Sequence, residues 1–253
     1  SNPLFKSAEL TYNGADCTLR LYLKKTGAFY GWDSYYNEQG QLCFQFLNPA
    51  KVTTTTQNSY GVDLSGVFIV IDVGHGGSDG GATGTDANGT PWSESGRNMD
   101  LSYALRNELE KMGATVVFNR EGVMTLPVDS RILSLLDAAP DLCVAVHQNF
   151  LAGYPNFGGF EASYYTPFSS LAAKQIQQYT QRTGIYSTNR LAWRNYFVGR
   201  QTVCPVVLTE NGYMSHLPDL NGMLDPQVME RKAVAIAQGV ADYFLLINGL
   251  KTN

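Results

Sequence analysis

The chain has 253 residues, 44% of them hydrophobic and 16% charged, with a formal net charge of −4 and a pI near 5.4. That length and apolar content bury a sizeable core, as one large domain or as a medium domain with a small one, and exclude disorder. The acidic balance and the lack of a Lys/Arg run argue against a nucleic-acid partner and against electrostatic anchoring to an anionic surface, since both need clustered cations.

No secretory leader is legible at Ser1-Asn2-Pro3, and no apolar stretch approaches the roughly 20 residues that span a bilayer. Residues 8 to about 48 are rich in Tyr, Thr, Leu and Phe. Strand-like segments at Cys17–Leu23, Phe29–Tyr36 and Gln41–Phe46 are separated by turn signals at Lys25-Thr26-Gly27 and Asn37-Glu38-Gln39-Gly40. This reads as a small antiparallel β unit, and Lys51 to Ser65 as a polar linker or a connecting strand.

From Val67 the texture changes. Val67–Val73 is a β-branched run suited to a strand covered on both faces. Asn98–Met112 carries apolar residues mostly at helical spacing, stopped by Gly113. Thr115–Phe118 is a strand, Ile132–Ala139 a helix and Leu142–Val146 a strand. Leu171–Thr183 is a helix closed by Gly184, Val206–Thr209 a strand and Val228–Leu246 a long terminal helix. Alternating elements of this kind predict an α/β fold with a mostly parallel twisted sheet and helices on both faces, plus the small N-terminal antiparallel β unit. The expected division is 1–62 for the β unit and linker, and 63–253 for a catalytic domain.

Cys17, Cys43, Cys143 and Cys204 show no C-x-x-C spacing, which argues against a thiolate metal site. Cys143 and Cys204 sit in strand patterns and read as buried thiols. Cys17 and Cys43 would pair only if their strands are neighbours in an oxidising compartment.

The chemistry lies at strand ends. The chain has three histidines. His75 follows a strand in Asp72-Val73-Gly74-His75-Gly76-Gly77, and His147 ends another in Val144-Ala145-Val146-His147-Gln148-Asn149. Glu210 ends a third in Val206-Val207-Leu208-Thr209-Glu210-Asn211-Gly212. Side chains at the carboxyl ends of strands in an open α/β sheet converge on one crevice. The glycine-rich loop around His75 has no G-K-[ST] ending, so it reads as presenting a metal ligand rather than cradling phosphate. A catalytic zinc keeps three protein ligands and an open position. His75 and His147 supply two, and for the third Glu94 competes on spacing with Asp72, Asp79 and Asp86.

These motifs, taken in order, resemble the zinc-dependent N-acetylmuramoyl-L-alanine amidases of bacterial cell-wall turnover, from about Val67 to Phe244. The resemblance rests on Ile71-Asp72-Val73-Gly74-His75-Gly76-Gly77 with Asp79-Gly80-Gly81-Ala82, and on Glu94 before Asn98-Met99. It continues through Asn119-Arg120 with Arg131, Asp141 to Asn149 with Gly159-Phe160-Glu161, and Val207 to Ser215. It implies one Zn2+ per chain held by His75, Glu94 and His147, with Glu210 as the catalytic acid–base. It also implies a peptidoglycan substrate cut between muramic acid and L-alanine, and work outside a bacterial cell or at its wall.

Asn149 and Trp92 are candidate substrate-binding residues. The other aromatics read as strand and core material. His216 stands where the family carries Asn and reads as a loop residue near the site. A monomer is expected.

Two rival readings remain. A zinc exopeptidase would capture a terminal carboxylate with Arg97, Arg120, Arg190 or Arg200. A catalytically inactive wall-binding module would be expected to lose Glu210 or a ligand, and all are present.

Overall fold

The computed structural model describes residues 2–124 and 126–252; Ser1, Thr125 and Asn253 lie outside the described residues. Six strands come first: β1 (Phe5–Asn13), β2 (Asp16–Leu23), β3 (Trp32–Tyr36), β4 (Leu42–Phe46), β5 (Thr53–Thr54) and β6 (Val62–Asp63). The α/β layer begins with β7 (Phe68–Val73), β8 (Thr83–Thr85), β9 (Pro91–Ser93), α1 (Glu94–Glu110), β10 (Thr115–Phe118), α2 (Val128–Ala138) and β11 (Leu142–Asn149). It continues with β12 (Phe160–Tyr164), α3 (Ser170–Arg182), β13 (Asn189–Trp193), β14 (Val206–Tyr213), α4 (Leu217–Leu224) and α5 (Pro226–Ile247).

The central sheet has the order β10-β7-β11-β14-β12-β13. The first four strands in that order are mutually parallel. β12 runs antiparallel to β14 and carries β13 parallel to itself. The α/β expectation therefore holds, with one reversed pair of strands at the β13 edge that the sequence reading did not resolve.

Burial on both faces explains the apolar strands. On one face Ile69, Ile71 and Val73 of β7, Val144 and Val146 of β11 and Val207 of β14 pack under α1, α3 and α5. On the other, Val70, Cys143, Ala145, Val206 and Leu208 pack with Leu135 of α2 and with Val198, Val203 and Cys204. Both thiols expected in the interior are buried there.

α5 starts at Pro226, two residues earlier than its periodicity suggests. The Asp225 side chain caps the helix by accepting from the Gln227 and Val228 amides, and proline suits the first helical position.

The N-terminal β unit consists of the hairpins β1–β2 and β3–β4. Its small core of Leu4, Phe5 and Tyr30 is joined by Phe29, Phe46 and Leu47, and by Ile247 from the end of α5. The Trp32 amide donates to the Thr202 carbonyl at 2.7 Å, and the Phe29 ring meets Phe168 edge-on. Cys17 and Cys43 lie on different hairpins, β2 and β4, and both are free thiols.

The stretch read as linker or connecting strand forms the short pair β5–β6 and sinks Val52, Tyr60, Val62 and Leu64 into the main core. The Tyr60 hydroxyl donates to Glu108 on α1 at 2.6 Å.

Candidate metal centre

His75 follows β7 after Gly74 and carries a φ of 58°, in the left-handed region that residues other than glycine rarely occupy. Two contacts hold it there. Arg131 Nη2 donates to the His75 carbonyl at 2.7 Å, and Asp79 Oδ2 lies 2.9 Å from His75 Nδ1. With Nδ1 held by a carboxylate, Nε2 is turned toward Glu94, whose Oε1 stands 3.2 Å away.

Glu94 is the first residue of α1, which Ser93 caps by accepting from the Gly96 amide. A carboxylate in this first turn is favoured by the helix dipole. Its Oε2 accepts from the Ala82 amide at 3.0 Å, and its Oε1 accepts from the Gln148 amide at 3.1 Å. Oε1 also lies 3.1 Å from His147 Nδ1. Burial alone would raise the Glu94 pKa. Hydrogen bonds from His147 and His75, the charge on His147 and the Ala82 amide outweigh it and hold the carboxyl well below the usual range. Reciprocally, the Glu94 hydrogen bond raises the His75 imidazole to about 9, against a burial effect of opposite sign.

One ligand atom from each of His75, Glu94 and His147 falls within 4.8 Å of the others. The surrounding backbone is shaped for this approach. A Cβ on Gly74 would stand 2.4 Å from the His147 ring, and one on Gly81 would stand 2.6 Å from Glu94 Oε2. Two imidazoles and a carboxylate are the donor set that suits a catalytic zinc with an open position, and the residues present fit it.

Two buried arginines hold the frame. Arg120 Nε donates to the Val73 carbonyl at 2.9 Å, and its Nη2 to the Gly74 carbonyl at 3.1 Å. Arg131 Nη1 donates to the Val73 carbonyl at 2.7 Å and to Asp72 Oδ1 at 2.8 Å. Asp72 also accepts from Asn119 Nδ2. Asn98 on α1 donates to the Gly74 carbonyl at 3.1 Å and accepts from Gln148 Nε2 at 3.2 Å, tying the helix start to both histidine strands. The sequence signal for these residues lay in the motif matches around Asn98, Asn119-Arg120 and Arg131.

Glu210 lies on β14, in register with His147 of the neighbouring parallel strand β11. It is buried, and its Oε2 has no hydrogen-bond partner. Burial pushes its pKa up to about 7; nearby His147 opposes this, while Glu94 and Glu161 add to it.

Glu161 on β12 is the antiparallel register partner of Glu210. It is clamped by Arg194, whose Nε and Nη2 donate to its two oxygens at 2.9 and 2.8 Å. Sequence reasoning placed Glu161 only as a motif residue, because its clamp, Arg194, comes from the residue just after β13, a strand that reads as loop.

The other expected residues fall into place around this centre. Asp79 orients His75, Asp72 pairs with Arg131, and Asp86 accepts from the Trp92 indole at 3.0 Å. None of these three belongs to the metal cluster found among the described residues. The Trp92 ring is also covered by the Arg97 guanidinium, 4.9 Å from its centroid. Asn149 ends β11 half-buried, with its side chain accepting from the Phe150 amide. His216 stands outside the cluster, 3.2 Å from Asp219 Oδ1.

Residues 69–242 match the family model described as N-acetylmuramoyl-L-alanine amidase. The chain is 30% identical over 232 residues to a protein described as a probable cell wall amidase, LytH, from Staphylococcus aureus. That match covers 88% of this chain and 75% of that protein.

Among solved structures, it resembles the catalytic domain of CwlV, an N-acetylmuramoyl-L-alanine amidase from Paenibacillus polymyxa. The TM-score is 0.65 at 26% identity, over 70% of this chain and 97% of that domain. The N-acetylmuramoyl-L-alanine amidase of Clostridium difficile 630 superposes with the same TM-score at 23% identity, over 70% of this chain and 96% of its own. At that lower identity the likeness is one of fold.

Proposed function

The chain belongs to the N-acetylmuramoyl-L-alanine amidase family and is an amidase acting on peptidoglycan, and we propose that it works with one zinc ion held by His75, Glu94 and His147 and with Glu210 handling the proton. The carrying observation is the approach of three ligand atoms to within 4.8 Å of one another, at the sheet edge where the unpartnered Glu210 carboxyl also lies. Bound there, zinc would supply a Lewis acid that polarises the scissile carbonyl and acidifies water.

The rest is done by the chain's own groups. Asp79 holds His75 at Nδ1, which leaves Nε2 facing the site. The Ala82 and Gln148 amides hold the Glu94 carboxylate in place. Glu210, with a pKa near 7, accepts a proton from the attacking water and returns it to the departing alanine amine.

The bond cut is the amide between N-acetylmuramic acid and L-alanine. The relative described as a probable cell wall amidase supports work outside the cell or at the wall of a bacterium. Among the described residues no helix is long and apolar enough to cross a membrane. The two hairpins within residues 1–62 form a small β unit that docks on the catalytic domain of residues 63–253, with β5–β6 and the buried Val52, Tyr60 and Val62 joining the two and the aromatic contacts around Phe29 and Tyr30 as the support for that docking.

The test is digestion of purified peptidoglycan with and without a chelator. Free stem peptides with new alanine amino termini, intact glycan strands and no release under chelation are expected. New reducing ends or shortened peptides overturn the reading.

A further inference from the structure

Four residues on neighbouring strands form one row across the sheet. His147 of β11 pairs with Glu210 of β14, Glu210 with Glu161 of β12, and Glu161 with Arg190 of β13. Register partners present their side chains on the same face of a sheet, so the row runs from the metal centre through the proton carrier to an arginine at the edge.

Arg190 is prepared rather than loose. Its Nη2 donates to the Tyr213 hydroxyl at 2.7 Å, and its guanidinium lies over the Phe157 ring, 5.1 Å from the centroid. Phe157 in turn meets Tyr213 edge-on. Such stacking orients a guanidinium without using up its donors. The carboxylate paired with Arg190 is Glu161, 3.8 Å away. That carboxylate already accepts two bonds from Arg194 and one from Ser163 at 2.9 Å. Arg190 therefore keeps a half-exposed positive charge with donors to spare.

Of the other arginines that the sequence offers for a carboxylate, none is a register partner in this row. Arg120 binds backbone carbonyls, Arg97 pairs with Asp100 and covers Trp92, and Arg200 donates to the Asn195 carbonyl.

We propose that Arg190 captures the α-carboxylate that a second stem-peptide residue leaves free when it is an acidic residue linked onward through its side chain, making the enzyme selective for acidic over amidated stems; this rests on the amidase reading above. The side of the cleft follows from the row itself. Glu210 returns its proton to the leaving amine and stands between the metal ligands and Arg190, so the departing peptide extends toward Arg190. The spacing agrees. Strands about 4.8 Å apart put Arg190 roughly 10 Å along the row from Glu210. An extended peptide rises about 3.5 Å per residue, so the second residue's carboxylate lies within reach of a long side chain directed back along the row.

The test uses two muramoyl tripeptides that differ only in whether the second residue's α-carboxyl is free or an amide. Wild-type enzyme is expected to favour the free acid in kcat/KM by about 10-fold or more, the scale of one charge-assisted bidentate contact. Arg190→Gln brings that ratio close to one, chiefly through KM, at unchanged zinc content. Arg190→Lys, which keeps the charge but not the fork, leaves an intermediate ratio. An absence of preference in the wild type, or a preference that survives in Arg190→Gln, overturns the role of Arg190. Failure of the wild type to cut either muramoyl–alanine bond is a different result, because it defeats the amidase reading itself.

Discussion

His147 and Glu210 are cross-strand partners in the parallel pair β11–β14, so an imidazole of the proposed metal centre and the carboxylate that would move the proton share one row of the sheet. Rigid strands hold both, and the register slips only beyond them, between His147 and Asn149, where β14 accommodates the turn toward Tyr213. A site built this way can be dissected one group at a time.

Removing a ligand should remove the metal. His147→Ala is expected to lower zinc content well below the roughly one ion per chain of the wild type, with activity falling in parallel. Elemental analysis after dialysis checks this, and full occupancy in the variant would show that His147 is not a ligand.

Glu210→Gln separates chemistry from binding. The amide is nearly isosteric but cannot accept the proton, so turnover should drop by about 10² to 10⁴ while zinc content and fold are kept. Residual activity above about a tenth of wild type would mean that another group moves the proton.

The same residue gives a pH signature in the zinc-free protein. Burial raises Glu210 to about 7 from an ordinary 4.5, so between these values the folded state binds more protons than the unfolded one. Its contribution is therefore complete below about pH 4.5 and is lost as pH rises through about 7. The gap corresponds to about 3 kcal/mol at most. Urea titrations of chelated wild type and Glu210→Gln should show the wild type losing stability relative to the variant from about pH 5 to 8. Parallel curves would mean that Glu210 ionises without a burial penalty.

Arg131→Ala tests the frame. The change leaves Asp72 buried without its charged partner and frees the His75 carbonyl, while the Val73 carbonyl keeps its bond from Arg120. Breaking a buried pair of this kind costs about 3 to 5 kcal/mol. Because the His75 carbonyl is released, zinc affinity should also fall by about 10- to 100-fold. Thermal unfolding and competition with a chelator measure the two effects. A destabilised protein with unchanged zinc affinity would confine Arg131 to packing.

Much of this was legible from the residues in order. The strands around Ile69–Val73, Val144–Val146 and Val206–Thr209 announce themselves as apolar runs because a central parallel strand is covered on both faces. Each runs straight into a polar residue at its carboxyl end, and that is why His75, His147 and Glu210 stood out. Less was legible at the edges. β1 and β12 lack such runs, and β13, with Asn189 and Arg190 at its start, reads as polar loop until β12 is beside it. The helix holding Glu94 begins four residues before its apolar periodicity does, because Ser93 caps it there.

By itself, the sequence determined which strands are central, which three of their ends offer polar side chains fit for chemistry, and that the donors suit zinc. These are properties of local periodicity and of side-chain chemistry. Only the tertiary structure brings Glu94, rather than Asp72, Asp79 or Asp86, against both imidazoles. Four carboxylates within a short stretch of chain are equivalent until the fold sends one to both imidazoles, one to His75 Nδ1, one to Arg131 and one to Trp92. It alone also placed Glu161 and Arg190 in line with Glu210. That row depends on pairing between strands far apart in sequence, and register across a sheet is set by the packing of the whole layer rather than by any one strand.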